Sequence, residues 1–234
     1  MADEPDDALA LEEIADCAWL LRFGGAIDRD TNERVHAAAR ALRGAALPGV
    51  VDVVPAYSSL AVVFDQPAVA DRDALAERVY ELALASGPGR ALSRRTVVLP
   101  VAYGGEHGPD LDELARRVAL SPEEVVRRHA AVDYVVGMLG FLPGFPYLLG
   151  LDPALHLPRR DTPRTHVPAG SVGIGGAQTG VYPIASPGGW HLIGRTRARL
   201  FDATRDPPTL LEPGDALRFR AVAAGELERA EVSV

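Results

Sequence analysis

Between Gly140 and Gly150 the chain reads GFLPGFPYLLG, with Phe141, Phe145 and Tyr147 interleaved among Pro143, Gly144 and Pro146. Such a segment is too broken for a helix or central strand and too apolar for a solvated loop, so it should line something. It is either a lid or inter-domain wedge or a ligand- or partner-binding surface. Further on, Gly173, Gly175, Gly176 and Gly180 permit close backbone approach, and their amides can form an anion-binding concavity without lysine; glycines also serve barrel corners. Gln178, Thr179, Tyr182, His191 and Arg195 stand at strand-like separations that can converge on one face. Arginine offers a fixed fork for a carboxylate or phosphate, and glutamine both donates to and accepts from an amide. Trp190, after Pro187-Gly188-Gly189, is an apolar wall or plain core filling.

His129 falls on the apolar face of a short helix, which fits either a satisfied core histidine or an imidazole presented to a pocket. Other chemistries lose ground. The six histidines show no HExxH spacing, and His107 in Gly-Gly-Glu-His-Gly reads as a loop residue, so no intrinsic metal site is expected. Ser171 lacks a GxSxG elbow and makes a poor nucleophile. Every basic side chain is arginine, which removes Schiff-base lysines and the phosphate loop ending in Gly-Lys-Ser/Thr. A bound nucleotide would rest on arginine and backbone amides.

The elements that must position these groups follow from composition and periodicity. A chain of 234 residues, 47% hydrophobic, can bury a large core in one domain or two. A net charge of −8 disfavours nucleic acid and anionic membranes as partners. The lone Cys17, read as buried beside Ala18, Trp19 and Leu20, suits a reducing compartment, and the acidic start is the reverse of a leader. No apolar run reaches membrane-spanning length, so a soluble, cytoplasmic protein is expected.

Cys17 to Phe23 reads as a strand after a frayed acidic start, and Asp30 to Arg43 as a helix stopped by Gly44. Val50 to Val54 and Ser59 to Phe64 form a hairpin-like pair, followed by a helix capped by Asp71 or Asp73. With a strand at Thr96 to Val101, the order is that of a ferredoxin-like split βαβ unit, unless that strand opens the second domain beyond Gly87-Pro88-Gly89. The fold class is thus α+β: a small α/β domain over residues 1–90 and a β-barrel domain over 91–234. Two short helices follow, the second opened by Ser121-Pro122-Glu123-Glu124. Short apolar runs between Gly, Pro and Asp turns, from Tyr134 to Leu139 through Ala230 to Val234, then suggest the barrel.

The runs VAYGGEHGPDLDELARRVALSPEEVVRRHAAVDYVVGMLGFLPGFPYLLGL and TPRTHVPAGSVGIGGAQTGVYPIASPGGWHLIGRT resemble the family of 5-oxoprolinase B subunits, also called the KipI or allophanate hydrolase subunit 1 family. ADCAWLLRFGGAIDRDTNERV and GVVDVVPAYSSLAVVFD are similar to its N-terminal domain, so the resemblance extends from about Asp16 onward. It implies a cyclophilin-like barrel. It also implies a reaction in which this chain, with A and C subunits, opens the 5-oxoproline lactam to glutamate at the expense of ATP with magnesium, bound here or by a partner. Carried onto this sequence, His129, His191 and Arg195 become catalytic candidates, and Phe145, Tyr147, Ser171, Gln178, Thr179, Tyr182 and Trp190 substrate-binding ones. Arg195 would hold a carboxylate or phosphate, Gln178 and Thr179 would orient the lactam, and His191 or His129 would shuttle a proton. Leu149 and His107 depart from the family's usual glycine and phenylalanine. Some KipI-type members instead inhibit a sensor histidine kinase, and a peptidyl-prolyl isomerase is suggested by fold analogy alone.

Overall fold

Two acidic residues that pair with arginines open the first element. In the computed structural model, which describes residues 8–87 and 95–234, β1 (Ala10–Ala15) and β2 (Ala18–Arg22) form a hairpin. Glu12 meets Arg22 at 2.7 Å and Glu13 meets Arg72 at 2.5 Å. Within the acidic start, residues 10–15 are therefore a charged edge strand rather than a frayed end, while residues 1–7 lie outside the described residues; charge on an edge discourages pairing with another chain. Cys17 lies in the hairpin turn and is exposed, correcting the buried reading: its apolar neighbours begin the strand, and the cysteine precedes it.

The chain divides into two units, residues 1–93 and 94–234. In the first, β3 (Val50–Pro55) and β4 (Ser59–Phe64) complete an antiparallel sheet of order β1-β2-β4-β3. Helices α1 (Arg29–Ala45) and α2 (Arg72–Ala85) bury Val35, Leu42, Leu75 and Val79 with Trp19, Leu21, Leu60 and Val62 of the sheet. The Asp28 carboxylate accepts the Thr31 N–H at 2.8 Å and Asp71 accepts that of Ala74 at 3.0 Å, caps worth about 1 kcal/mol each. Helix α1 runs through Gly44 and ends at Ala46 in the left-handed region, φ 45°. The connectivity is ββαββα. The fourth strand of the sheet is β1, because the strand at Thr96 belongs to the second unit. Of the expected linker, Pro88 and Gly89 lie outside the described residues.

In the second unit, β5 (Thr96–Tyr103), β6 (Tyr134–Leu139), β7 (Pro146–Leu149), β9 (Ser171–Gly175), β10 (Gln178–Val181), β12 (His191–Arg195) and β13 (Ala216–Ala221) close a barrel of order β10-β7-β6-β13-β5-β12-β9. β13 runs parallel to β5; the other pairs are antiparallel. Alternate residues fill the interior, Val97, Leu99 and Val101 from β5 against Leu217 and Phe219 from β13. A separate ribbon pairs β8 (Arg164–Val167) with β11 (Ser186–Gly188). Instead of a strand over Ala230 to Val234 there is one bridge, Val98 to Ser233. Helices α3 (Leu111–Arg117) and α4 (Pro122–Ala130) add Leu114 and Val125 to the barrel core.

At the last turn of α4, His129 enters that core with no solvent exposure. Its ring stacks on Phe219 at 4.6 Å. The Thr179 hydroxyl donates to the Gly173 carbonyl at 2.9 Å, so it must accept from His129 Nε2–H, also at 2.9 Å. Nδ1 then carries no proton and accepts from the Tyr103 hydroxyl at 2.8 Å. Both ring nitrogens are engaged inside the barrel, the geometry of a satisfied core histidine. Burial disfavours the imidazolium and lowers the pKa to about 3.

An unfolded chain takes up this proton near pH 6.5 whereas the folded one resists it down to about pH 3. Stability is therefore complete above pH 6.5 and falls as the pH drops through that window. Lowering the pH from 7 to 5 should cost about 2 kcal/mol through this group. Urea unfolding of the wild type and of His129→Gln at both pH values checks it: the variant should lose that part of the acid dependence.

Candidate functional site

Asp110 precedes α3 and is only 3% exposed. A bare carboxylate there would be costly, and four donors compensate it. Arg164 binds it through two contacts of 2.8 and 2.6 Å, Arg160 adds one of 3.2 Å, and the Leu192 N–H donates at 2.7 Å. The Asp110 N–H returns a bond to the Leu192 carbonyl at 2.9 Å. The loop reaches β12 because residue 108 is glycine: a Cβ there would stand 2.0 Å from the Ile193 carbonyl oxygen.

The same carboxylate draws residues 157–164 across the outside of the barrel. Leu157 and Gly176 exchange backbone bonds, the Arg160 N–H donates to the Gly189 carbonyl at 2.8 Å, and Pro158 O accepts from His191 Nε2 at 2.9 Å. Because a carbonyl can only accept, Nε2 carries the His191 proton, and Nδ1 is left buried without a hydrogen-bond partner among the described residues. This arm and the β8–β11 ribbon wall a cleft of about 280 Å³.

The cleft is aromatic. Phe145, 1% exposed, is the hub, with ring centroids 4.9 Å from Tyr147, 5.1 Å from Tyr182 and 5.4 Å from Trp190; the last two meet it edge to face at 88° and 82°. Phe141 stands over the mouth, 61% exposed. Arg159 and Arg160 complete the lining, which contains no acidic side chain. Desolvation raises the Tyr147 and Tyr182 phenol pKa values, keeping both hydroxyls protonated as hydrogen-bonding groups. An aromatic slot with guanidinium at its rim can hold a small anionic ligand with a flat or apolar body.

The glycines serve the rings. A Cβ on Gly175 would lie 2.5 Å from the Trp190 indole, and one on Gly180 would lie 3.0 Å from Phe145 and 3.1 Å from Trp190. Gly173 and Gly180 face each other in the β9–β10 ladder and the Gly176 N–H donates to the Leu157 carbonyl at 2.7 Å, so these backbones are engaged in pairing rather than gathered into an anion-binding concavity, which corrects that alternative.

Of the residues expected in a site, Phe145, Tyr147, Tyr182 and Trp190 line the cleft. His191 follows Trp190 but is 1% exposed and turned to Pro158. His129 and Thr179 are hydrogen-bonded to each other in the barrel core. Ser171 and Arg195 are cross-strand partners outside the cleft lining, where Arg195 Nε donates to the Ala169 carbonyl at 3.0 Å. Gln178 also lies outside it, opposite Gly175. Sequence reasoning missed Asp110, Arg159, Arg160 and Arg164. A signal existed in Pro158-Arg159-Arg160-Asp161-Thr162-Pro163-Arg164, two arginines held between prolines and a third directly after the second proline, ahead of the glycine-rich strands.

Two substitutions probe this construction. Gly175→Ala should force Trp190 outward, costing roughly 1–3 kcal/mol and shifting tryptophan emission to the red. Asp110→Asn should cost about 3 kcal/mol, because two arginines keep their charge without the counter-charge. Urea unfolding followed by fluorescence measures both.

Residues 9–211 match the family model described as carboxyltransferase domain, subdomain C and D. A 5-oxoprolinase B subunit from Bacillus subtilis is 44% identical over 222 residues, 89% of this chain and 91% of its own length. The like-named protein of Escherichia coli O157:H7 is 50% identical over 175 residues, 74% of this chain and 78% of its own. The crystal structure of TTHA0988 is similar with a TM-score of 0.77 and 41% identity over 88% of this chain, which spans 40% of that longer one. K. lactis urea amidolyase gives a TM-score of 0.78 over 98% of this chain and 16% of its own, and at 22% identity the likeness concerns the fold. The chain belongs to the family of 5-oxoprolinase B subunits, within the carboxyltransferase subdomain C and D proteins.

Proposed function

We infer that this chain works as the B subunit of an ATP-dependent 5-oxoprolinase, opening the 5-oxoproline lactam to L-glutamate together with A and C subunits. The observation that carries the reading is 44% identity over 89% of the chain to a protein of that name. The cleft supports it: it is small, aromatic and rimmed by arginine, the chemistry that suits a compact ring bearing a carboxylate.

An unstrained lactam resists water because its amide is resonance-stabilised, and coupling to ATP overcomes this. The lactam oxygen attacks the γ-phosphorus and ADP leaves. Water then adds at the activated carbon, the carbon–nitrogen bond breaks and nitrogen departs as the amine. A second water releases phosphate from the acyl phosphate and completes the new carboxylate. The chain has no lysine, so any phosphate it holds rests on arginine and backbone amides, and ATP with its magnesium is bound here or by a partner subunit. The cleft's part is to bind and orient the lactam, which lowers the entropic barrier to phosphoryl transfer.

Co-expression with candidate A and C subunits tests the reading through glutamate release from 5-oxoproline. Release is expected only with all three chains and ATP present. An assembled complex that releases none, while this chain binds a sensor histidine kinase tightly, would replace the enzyme-subunit reading with that of an interaction protein.

A further inference from the structure

Three arginines lie near the cleft, and the fold uses two of them. Arg160 and Arg164 are committed to the buried Asp110. Arg159 differs: its guanidinium pairs with no carboxylate among the described residues and stands 6.0 Å from the centroid of the Trp190 ring. Its neighbours fix its place, since Pro158 is tied to His191 and Arg160 to both Gly189 and Asp110. An exposed arginine on a tethered arm, over an indole and with no acid in the lining, is a preorganised anion receptor. Its charge is felt by both Tyr147 and Tyr182, whose phenol pKa values it lowers against the stronger effect of burial.

A second feature of the mouth is also unexplained by packing. Phe141 is a non-glycine residue at φ 66°, enclosed in a tight turn where the Leu142 N–H donates to the Gly140 carbonyl at 2.7 Å. That conformation is strained for a side-chain-bearing residue. It leaves the ring 61% exposed, edge-on to Phe145 at 5.6 Å and to Tyr182 at 6.4 Å. The rest of the fold bears the cost of that strain, and the exposed ring offers apolar area that a bound ligand would cover.

We propose that Arg159 anchors the carboxylate of the cleft's ligand by a charge-assisted fork, and that Phe141 covers the ligand's ring opposite the Trp190 wall. The inference rests on the reading of the ligand as a carboxylated lactam, and it moves the anion contact from Arg195 to Arg159. Arg195 lies on another part of the barrel, with its Nε committed to Ala169.

The test uses the assembled complex with 5-oxoproline and its neutral carboxamide. Arg159→Gln should raise KM for 5-oxoproline roughly ten- to a hundredfold, leave kcat and the carboxamide KM nearly unchanged, and recover in part with Arg159→Lys. Phe141→Ala should raise KM for both compounds. An active complex in which Arg159→Gln keeps the wild-type KM for 5-oxoproline overturns the anchor and leaves the proposed function standing. A wild-type complex that does not turn over 5-oxoproline removes the proposed function instead. The anchor is then judged by titrating the free chain with both compounds and following tryptophan fluorescence. Binding that needs the carboxylate and vanishes in Arg159→Gln upholds it; binding with no such dependence, or none at all, overturns it.

Discussion

The candidate site depends on one buried carboxylate. Asp110 is shut off from water, and the interior tolerates its charge only because two guanidinium groups and a backbone N–H converge on it. Those donors come from remote parts of the chain: residues 160 and 164 on the arm and residue 192 on a barrel strand. Satisfying one charge therefore fixes the start of α3, the edge of β12 and the arm in a single arrangement. An ion pair of this kind adds little net stability over apolar packing, and its value here is geometric. The arm could lie on the barrel in many ways if held by hydrophobic contact alone, whereas a bidentate fork permits one.

The placement of polar groups follows a rule of matched donors and acceptors. Inside the barrel, Tyr103, His129 and Thr179 form a chain that ends on the Gly173 carbonyl, so every proton has a destination and the imidazole stays neutral. Such a network fixes side-chain positions in a core that is otherwise aliphatic. It also makes the histidine chemically quiet, since both nitrogens are engaged and no solvent reaches them. Residue type alone does not distinguish this from catalysis. The difference lies in where the lone pair points.

That distinction marks how much could be read from the sequence. The helix starts at Asp71 and Ser121 were legible because capping is local chemistry, whereas the Asp28 cap two residues before the expected start at Asp30 was not singled out. The aromatic segment around Phe145 was legible because proline and glycine exclude regular structure while the rings demand burial. β1 was not, since ion pairs from Glu12 and Glu13 hide its strand character behind charge. Cys17 misled because neighbours in sequence do not share burial across a turn. Asp110 and Arg164, 54 residues apart, could not be paired from a single sequence; nothing local says that a helix-preceding aspartate will be buried by an arm so distant in the chain. The glycines were noticed, but whether they welcome a ligand or a tryptophan depends on what packs over them.

The cleft can do some things chemically and lacks the means for others. Aromatic walls and a guanidinium bind substrate and transition state about equally at atoms remote from the reacting bond, which lowers KM without raising kcat. Acceleration needs groups whose interactions strengthen as charge moves, and among the cleft-lining residues there is no carboxylate or imidazole to take a proton. The tyrosines are held protonated by burial and can donate hydrogen bonds to an amide oxygen, but that polarisation falls short of breaking an unstrained lactam. A cleft of this composition is suited to holding a substrate still for another group. On the reading of this chain as one subunit among several, a division of labour would account for the missing chemistry: the cleft would supply orientation, and the groups that move protons and phosphate would be brought to it by the rest of the assembly.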